Sequence, residues 1–283
     1  MTAINPILII GKSGKTGVRV DALLRSKGFA TRPVSRSTHP VFDWTQPDTW
    51  SPALQGVKQA YVSYHPDLAM PDAETTLRAF IETARSQGVE HLVLLSGRGE
   101  DGAIRAENAL IESGLRWNVV RASWFFQNFS ESFLTESVIA GELTLPVGDV
   151  KEPFVDCDDI AEVAVAALTD QTLSNRLFEV TGPELLTFAE CVAIISGIAG
   201  RHIEYKQVPL EPYLGYLREQ GLNEGELWLL RELFTQVLDG RNSYVTHGVE
   251  EALGRPPRRF TDFVKTALAM GAWERHQQTQ AIL

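Results

Sequence analysis

The stretch "ILIIGKSGKTG" sets Gly11, Gly14 and Gly17 directly after an aliphatic run and directly before "VRVDALLRSKG". A pyrophosphate at a helix N-terminus is stabilised by unpaired backbone N–H groups and by the positive end of the helix dipole, and side chains there obstruct its approach. Strand, spaced glycines and helix in that order are the context a dinucleotide turn requires.

The next strand discriminates between dinucleotides. A site for NAD places an Asp or Glu near the end of that strand to accept from the ribose 2′-hydroxyl, whereas a site for NADP places a cation there. From Gly28 to Phe42 the chain has no acid, while "TRPVSRS" offers Arg32, Arg36 and the hydroxyls of Ser35 and Ser37. A planar guanidinium suits a phosphate. The expected cofactor is NADPH, with Arg36 on its 2′-phosphate.

The elements that must position these groups follow from periodicity. Short β-rich runs, "PILII", "ATRPVSR", "HPVFDW", "QAYVSYH", "HLVLLSG" and "LRWNVVRAS", alternate with helical stretches such as "AETTLRAFIETARSQG". This predicts a Rossmann-type α/β fold, a doubly wound parallel sheet with right-handed crossovers and its first strand inside the sheet. Helices are expected to stop at Gly28, Gly88 and Gly114, where a left-handed residue returns the chain. After about residue 140 the pattern changes to helices ("VDCDDIAEVAVAAL", "TFAECVAIISGIAG", "GELWLLRELFTQVL") around short pieces such as "IEYKQV". The division expected is a dinucleotide-binding domain over 1–145 and a smaller helix-rich lobe over 146–283, interleaved with the first. "RPPRR", Arg255 to Arg259, reads as a solvated turn before a last helix, and the tail after Trp273 is expected to fray.

Composition narrows the function classes. The 283 residues carry 44% hydrophobic residues and a formal net charge of −10. That charge disfavours nonspecific attraction to nucleic acid or an anionic membrane. Cys157 and Cys191 are too few for a disulfide framework and lack metal-ligand spacing, so no metal is expected. No apolar run reaches the roughly 18 residues of a membrane helix, and no signal-peptide pattern opens the chain. The expectation is a cytoplasmic monomer or homodimer acting on a small molecule.

The turn "GKSGKTG" together with "FDWTQPDTW", "HLVLLSG", "RASWFFQNF" and "GPELLTF" resembles the NmrA-like branch of the atypical short-chain dehydrogenase/reductases. Within it the chain looks closest to reductases of iminium ions in ergot-type alkaloid pathways. The resemblance spans Pro6 to about Ser196. It implies that Gly11, Ser13, Gly14, Lys15, Thr16 and Gly17 hold the pyrophosphate, that Asp43 and Trp44 flank the adenine after a third strand, and that Tyr61 to Tyr64, with Ser63, run along the nicotinamide-side ribose. Ser96 and Gly97 would end the strand under the nicotinamide. From the residues alone, Asp43 reads equally as a cap and Trp44 as core.

One departure is informative. Short-chain enzymes reduce carbonyls with a Tyr-x-x-x-Lys pair, because hydride addition to C=O creates an alkoxide that needs a proton. Between His65 and Val150 there is no Tyr and no Lys, and the start of the "AENALIESG" region supplies Ala103, Ile104 and Arg105 where relatives use a lysine. An iminium ion is already cationic and needs no proton donor, so hydride transfer is expected without an essential side-chain acid, to an activated C=N or conjugated C=C. Trp124, Phe125, Phe126 and Phe129 offer aromatic faces to such a substrate, against the alternative that they are core. Tyr64 and His65, after the fourth strand, are the weak catalytic candidates, with His65 also a substrate contact. Asp156, Asp158 and Asp159 read as an N-cap with first-turn acids. Two other readings stand beside the reductase: a non-catalytic sensor of NAD(P), and a reductase scaffold turned to a non-redox cyclisation.

Overall fold

Aliphatic runs too short for helices build the sheet. In a computed structural model, which describes residues 5–274, the strands are β1 (Ile7–Ile10), β2 (Thr31–Val34), β3 (Gln59–Val62), β4 (His91–Gly97), β5 (Arg116–Ala122), β6 (Glu142–Leu145), β7 (Arg176–Val180) and β8 (Glu204–Gln207). Six form one sheet in the order β2-β1-β3-β4-β5-β7, every pair parallel. β1 lies inside, between β2 and β3, so the strand order reverses beside it, and ligands of such sheets bind outside the strand ends at that point.

Strand residues alternate between two faces. Leu8 and Ile10 point to a core shared with Trp50, Leu77, Phe80 and Leu110, which belong to α2 (Trp50–Leu54), α3 (Ala73–Ser86) and α4 (Asp101–Ile111). Ile7 and Ile9 point the other way, to Val20, Leu24, Ile160 and Val163. Those come from α1 (Lys15–Ser26) and from a helix much later in the chain, α6 (Cys157–Thr169). α1 stops before Gly28 and α3 before Gly88, and Gly28, Gly88 and Gly114 take φ of +84°, +79° and +78° as the helix stops require.

A third core, with Phe129, Phe154, Phe188 and Phe260 at its centre, organises the remaining helices: α5 (Leu134–Ala140), α7 (Phe188–Ala199), α8 (Leu210–Glu219), α9 (Glu224–Glu232) and α11 (Phe260–Ala269), with the parallel pair β6–β8. The short α10 (Gly248–Leu253) packs back on α6 and β7. α6, β7 and α10, all later than residue 145, pack with the six-stranded sheet.

Two expectations are corrected. "HPVFDW" is no strand: Thr38 Oγ1 donates to Ser35 O and takes the Ser35 N–H, turning the chain, and Phe42 and Trp44 then plug into the aromatic cluster of Trp50 and Phe80. "RPPRR" is no solvated turn: Arg255 and Arg258 both pair with Asp159, which is fully buried, and with Glu162 of the same helix. The tail beyond Glu274 lies outside the described residues. Among them, no helix is long and apolar enough to cross a membrane.

Candidate active site

The C-terminal ends of β1 to β5 open on one cleft of about 660 Å³. At its centre the chain leaves β1 through Gly11, whose φ of +87° suits glycine and whose Cβ would stand 3.0 Å from Ser63 Cβ. Gly14 precedes α1 in an extended conformation, with no side-chain cap and no acid in the first turn. The helix N-terminus therefore keeps its N–H groups for an anion, with Ser13, Lys15 and Thr16 lining the cleft around it. Gly17 serves packing instead. A Cβ on it would lie 2.1 Å from Gly11 O, so its bareness lets α1 close on the turn, and it does not itself line the cleft.

Tyr61, fully buried, donates to Thr16 Oγ1 at 2.8 Å from beneath. The expectation that Tyr61 runs along a ribose is thereby corrected: it lies on the inward face of β3 and holds the turn. Ser63, Tyr64 and His65 do line the cleft. Burial pushes the Tyr64 hydroxyl above its ordinary value, and His65 is exposed.

On the β2 side the two candidate arginines separate. Arg32 donates to Ala53 O at 2.9 Å and Gln55 O at 2.6 Å, stitching β2 to the end of α2. Arg36 is exposed, lines the cleft and makes no ion pair with any described residue. Asp43 and Trp44 lie beside it. Asp43 Oδ1 accepts from the Thr45 N–H and hydroxyl, each at 2.9 Å, which closes a local turn and caps no helix. Trp44 is 8% exposed, donates to Ser63 O at 3.2 Å and packs on Tyr64 with ring centroids 4.8 Å apart. Both line the cleft while serving the fold.

The opposite end is held by buried charge. Ser96 Oγ donates to Glu107 at 2.6 Å, and Glu107 in turn pairs with Arg121. Arg98, 3% exposed, pairs with Glu179 at 2.6 Å, donates to Asn242 O at 2.6 Å and lies over the Tyr244 ring. Ser123 Oγ donates to Glu152, whose carboxyl burial pushes up to about 7. These contacts fix the ends of β4 and β5, and hence the walls formed by Leu95, Gly97 and Ala122. Of the aromatic candidates, Trp124 and Phe125 line the cleft with Leu233 and Val237. Phe126, 1% exposed, is packed between Phe260 and Phe263 and is no substrate contact; Phe129 is fully buried. Asp156 accepts from the Asp158 N–H as the N-cap of α6.

Two acids that line the cleft escaped sequence reasoning, Asp67 and Glu100. Glu100 is the N-cap residue of α4, yet its side chain caps nothing. The carboxyl folds back over the end of β4, where all three of its terminal atoms lie 2.1–2.3 Å from the point a Gly97 Cβ would occupy. Gly102 lets α4 press on the Leu68 and Ala69 backbone, which a Cβ would meet at 2.7–2.9 Å. That contact carries Asp67 in beside Glu100. The sequence signal was an acid three residues beyond a strand-ending glycine, too common a pattern to single out.

A model of the NmrA-like family matches residues 103–227. An agroclavine dehydrogenase of Claviceps fusiformis is 31% identical over 277 residues, covering 91% of this chain and 96% of that protein. An NAD(P)H azoreductase of Xenophilus azovorans is 31% identical over 291 residues, covering 94% and 99%. Among solved structures, the NADPH complex of quinone oxidoreductase QOR2 from Escherichia coli superposes with a TM-score of 0.76 at 19% identity, covering 93% of this chain and 99% of that one.

Proposed function

The chain belongs to the NmrA-like family, and from that premise we propose that it is an NADPH-dependent reductase of a small aromatic or polycyclic substrate with an activated C=N or conjugated C=C. The observation that carries the reading is one cleft that joins an uncapped, glycine-lined helix N-terminus and the unpaired Arg36 at one end to the apolar walls of Trp124, Phe125, Leu233 and Val237 at the other. The residues fit the cofactor: the N–H groups after Gly14 and the Lys15 ammonium would take the pyrophosphate, and Arg36 the 2′-phosphate. Ser96 and Gly97, which line the same cleft at the end of β4, would then lie on the nicotinamide side. When bound, that cofactor supplies the hydride.

What the protein adds is position and dryness. Trp124 is wedged edge-on against Phe188 at 5.5 Å and stacks near Phe234 at 6.3 Å, so its ring is a fixed wall. A planar substrate held against it is oriented at little entropic cost, and water is kept from the transfer. Among the described residues no Tyr-x-x-x-Lys dyad lines the cleft: its tyrosine is Tyr64 and its lysine Lys15, on different strands' ends. The relatives' names, an agroclavine dehydrogenase and an NAD(P)H azoreductase, are consistent with activated electrophiles in place of simple ketones.

Substitution of Arg36 by Ala tests the cofactor assignment. A charge-assisted contact is worth roughly 1.5–3 kcal/mol, so NADPH binding should weaken by about 10- to 150-fold while NADH binding stays almost unchanged. Fluorescence titration of both cofactors reads the difference, and equal losses would show that Arg36 supports the fold without reading the phosphate.

A further inference from the structure

A carboxyl that sits over a strand end inside a cleft, caps nothing, hydrogen-bonds only to another carboxyl, that of Asp67, and leaves one oxygen without a partner requires a reason. Glu100 is 7% exposed, and its Oε2 is buried with no hydrogen-bond partner. Its neighbours are acids: Asp67 from the loop after β3, Glu107 from α4 and Glu232 from α9. Asp67 Oδ1 is already engaged by the Ala69 N–H at 2.8 Å. A second ionised carboxylate in such a place is strongly disfavoured, so the pair keeps a proton. Burial raises both groups, and the three surrounding acids raise Glu100 further, well above the carboxylate range. Of the two, Glu100 is therefore the group that holds the shared proton.

Location gives the proton a use. The glycine turn and Arg36 occupy one end of the cleft, so the end of β4, where the Glu100 carboxyl lies against Gly97, faces the reacting end of a dinucleotide laid across the strand ends. We propose that Glu100 is the proton donor of this reductase, with Asp67 as the positioning residue that returns protons to it, and that the enzyme accordingly accepts electrophiles that become anions on taking hydride. The inference rests on the reductase reading above. The balance is complete: the hydride, with its electron pair, adds to the β-carbon of a conjugated carbonyl. The resulting enolate takes the proton as the Glu100 O–H bond breaks, and the carboxylate left behind is reprotonated from solvent through Asp67, the less buried of the two. An iminium ion takes hydride in the same position and leaves the proton unused.

The contrast between these two acceptors is the test. Single-turnover NADPH oxidation is followed across pH with a cyclic enone and with a cyclic iminium ion, in wild type, Glu100→Gln and Asp67→Asn. NADPH affinity and the infrared band of a protonated carboxyl are measured on the same proteins. The expected result is that Glu100→Gln slows the enone by 10²- to 10⁴-fold and the iminium by about tenfold or less. It should leave NADPH affinity unchanged and remove a carboxyl band present in wild type at neutral pH. Wild type should lose enone turnover, and not iminium turnover, as pH rises past the Glu100 transition, an outcome that needs no variant to fold. Asp67→Asn should lower that transition and spare the iminium rate. Equal slowing of both acceptors, loss of NADPH affinity in Glu100→Gln, absence of the band in wild type, or reduction of the iminium but never the enone would each overturn the donor role while leaving the reductase standing. A wild type that oxidises NADPH with neither acceptor would instead remove the reductase reading, and the donor role with it, whatever the infrared band shows.

Discussion

Glu152 shows what a single buried carboxyl costs. It is 1% exposed, one oxygen takes the Ser123 hydroxyl and the other has no partner. Burial lifts it from an ordinary 4.5 to about 7. A group whose folded value is raised binds more protons folded than unfolded, so stability falls as pH rises between these values. The loss is complete above about 7 and amounts to about 3 kcal/mol. Glu152→Gln keeps the contact to Ser123 without the charge. It should therefore raise the thermal midpoint relative to wild type at pH 8 and match it near pH 4, and a constant offset at both would contradict the assignment. At this scale the sequence disclosed what is local. Gly11, Gly14 and the acid-free run to Phe42 act through their own backbone or their own charge. It could not disclose that Arg32 is consumed by the Ala53 and Gln55 carbonyls while Arg36 is not, because the partners lie about 20 residues away. Nor could it disclose that Glu100 turns back over Gly97.

At the scale of elements, the latch between α6 and the segment before α11 carries a clear expectation. Asp159 accepts from Arg255, from Arg258 and from the Arg258 N–H at 2.7 Å while fully buried. Removing one partner of a buried pair typically costs about 3–5 kcal/mol, and the two arginines here retain some solvent, which favours the lower end. Asp159→Ala should then lower the urea midpoint by about 3 kcal/mol in stability and open the 254–259 segment to proteolysis. A loss below about 1 kcal/mol would mark the pairs as ordinary surface contacts. The strands of the first half were legible because a sheet covered on both sides demands unbroken aliphatic runs, as in Ile7–Ile10 and His91–Gly97. "HPVFDW" misled for the opposite reason: its apolar residues are large aromatics that anchor a loop into a core. β7 was missed because "RLFEV" includes Arg176 and Glu179, whose ion-pair partners lie elsewhere, and carries only three apolar positions.

For the whole molecule, the decisive feature is that β7 and α6 come back to a sheet already five strands wide. A fragment of residues 1–145 would leave one edge of β5 unpaired and the Ile7 and Ile9 face without α6, and it should aggregate or stay unfolded. A monomeric fragment with a sharp unfolding transition in circular dichroism would refute this. The same feature orders events during synthesis. While the chain is still emerging from the ribosome, β5 presents a bare row of hydrogen-bonding groups until Val180 has been made, an edge of the kind that invites pairing between nascent chains. Closing the cleft waits longer still, because Arg98 finds Asn242 O only 144 residues later. A translation pause anywhere before that point leaves a half-built sheet for chaperones to shield. A dinucleotide that needs the closed cleft would then stabilise only chains that have been released, or nearly so, and would protect the finished protein without aiding its assembly.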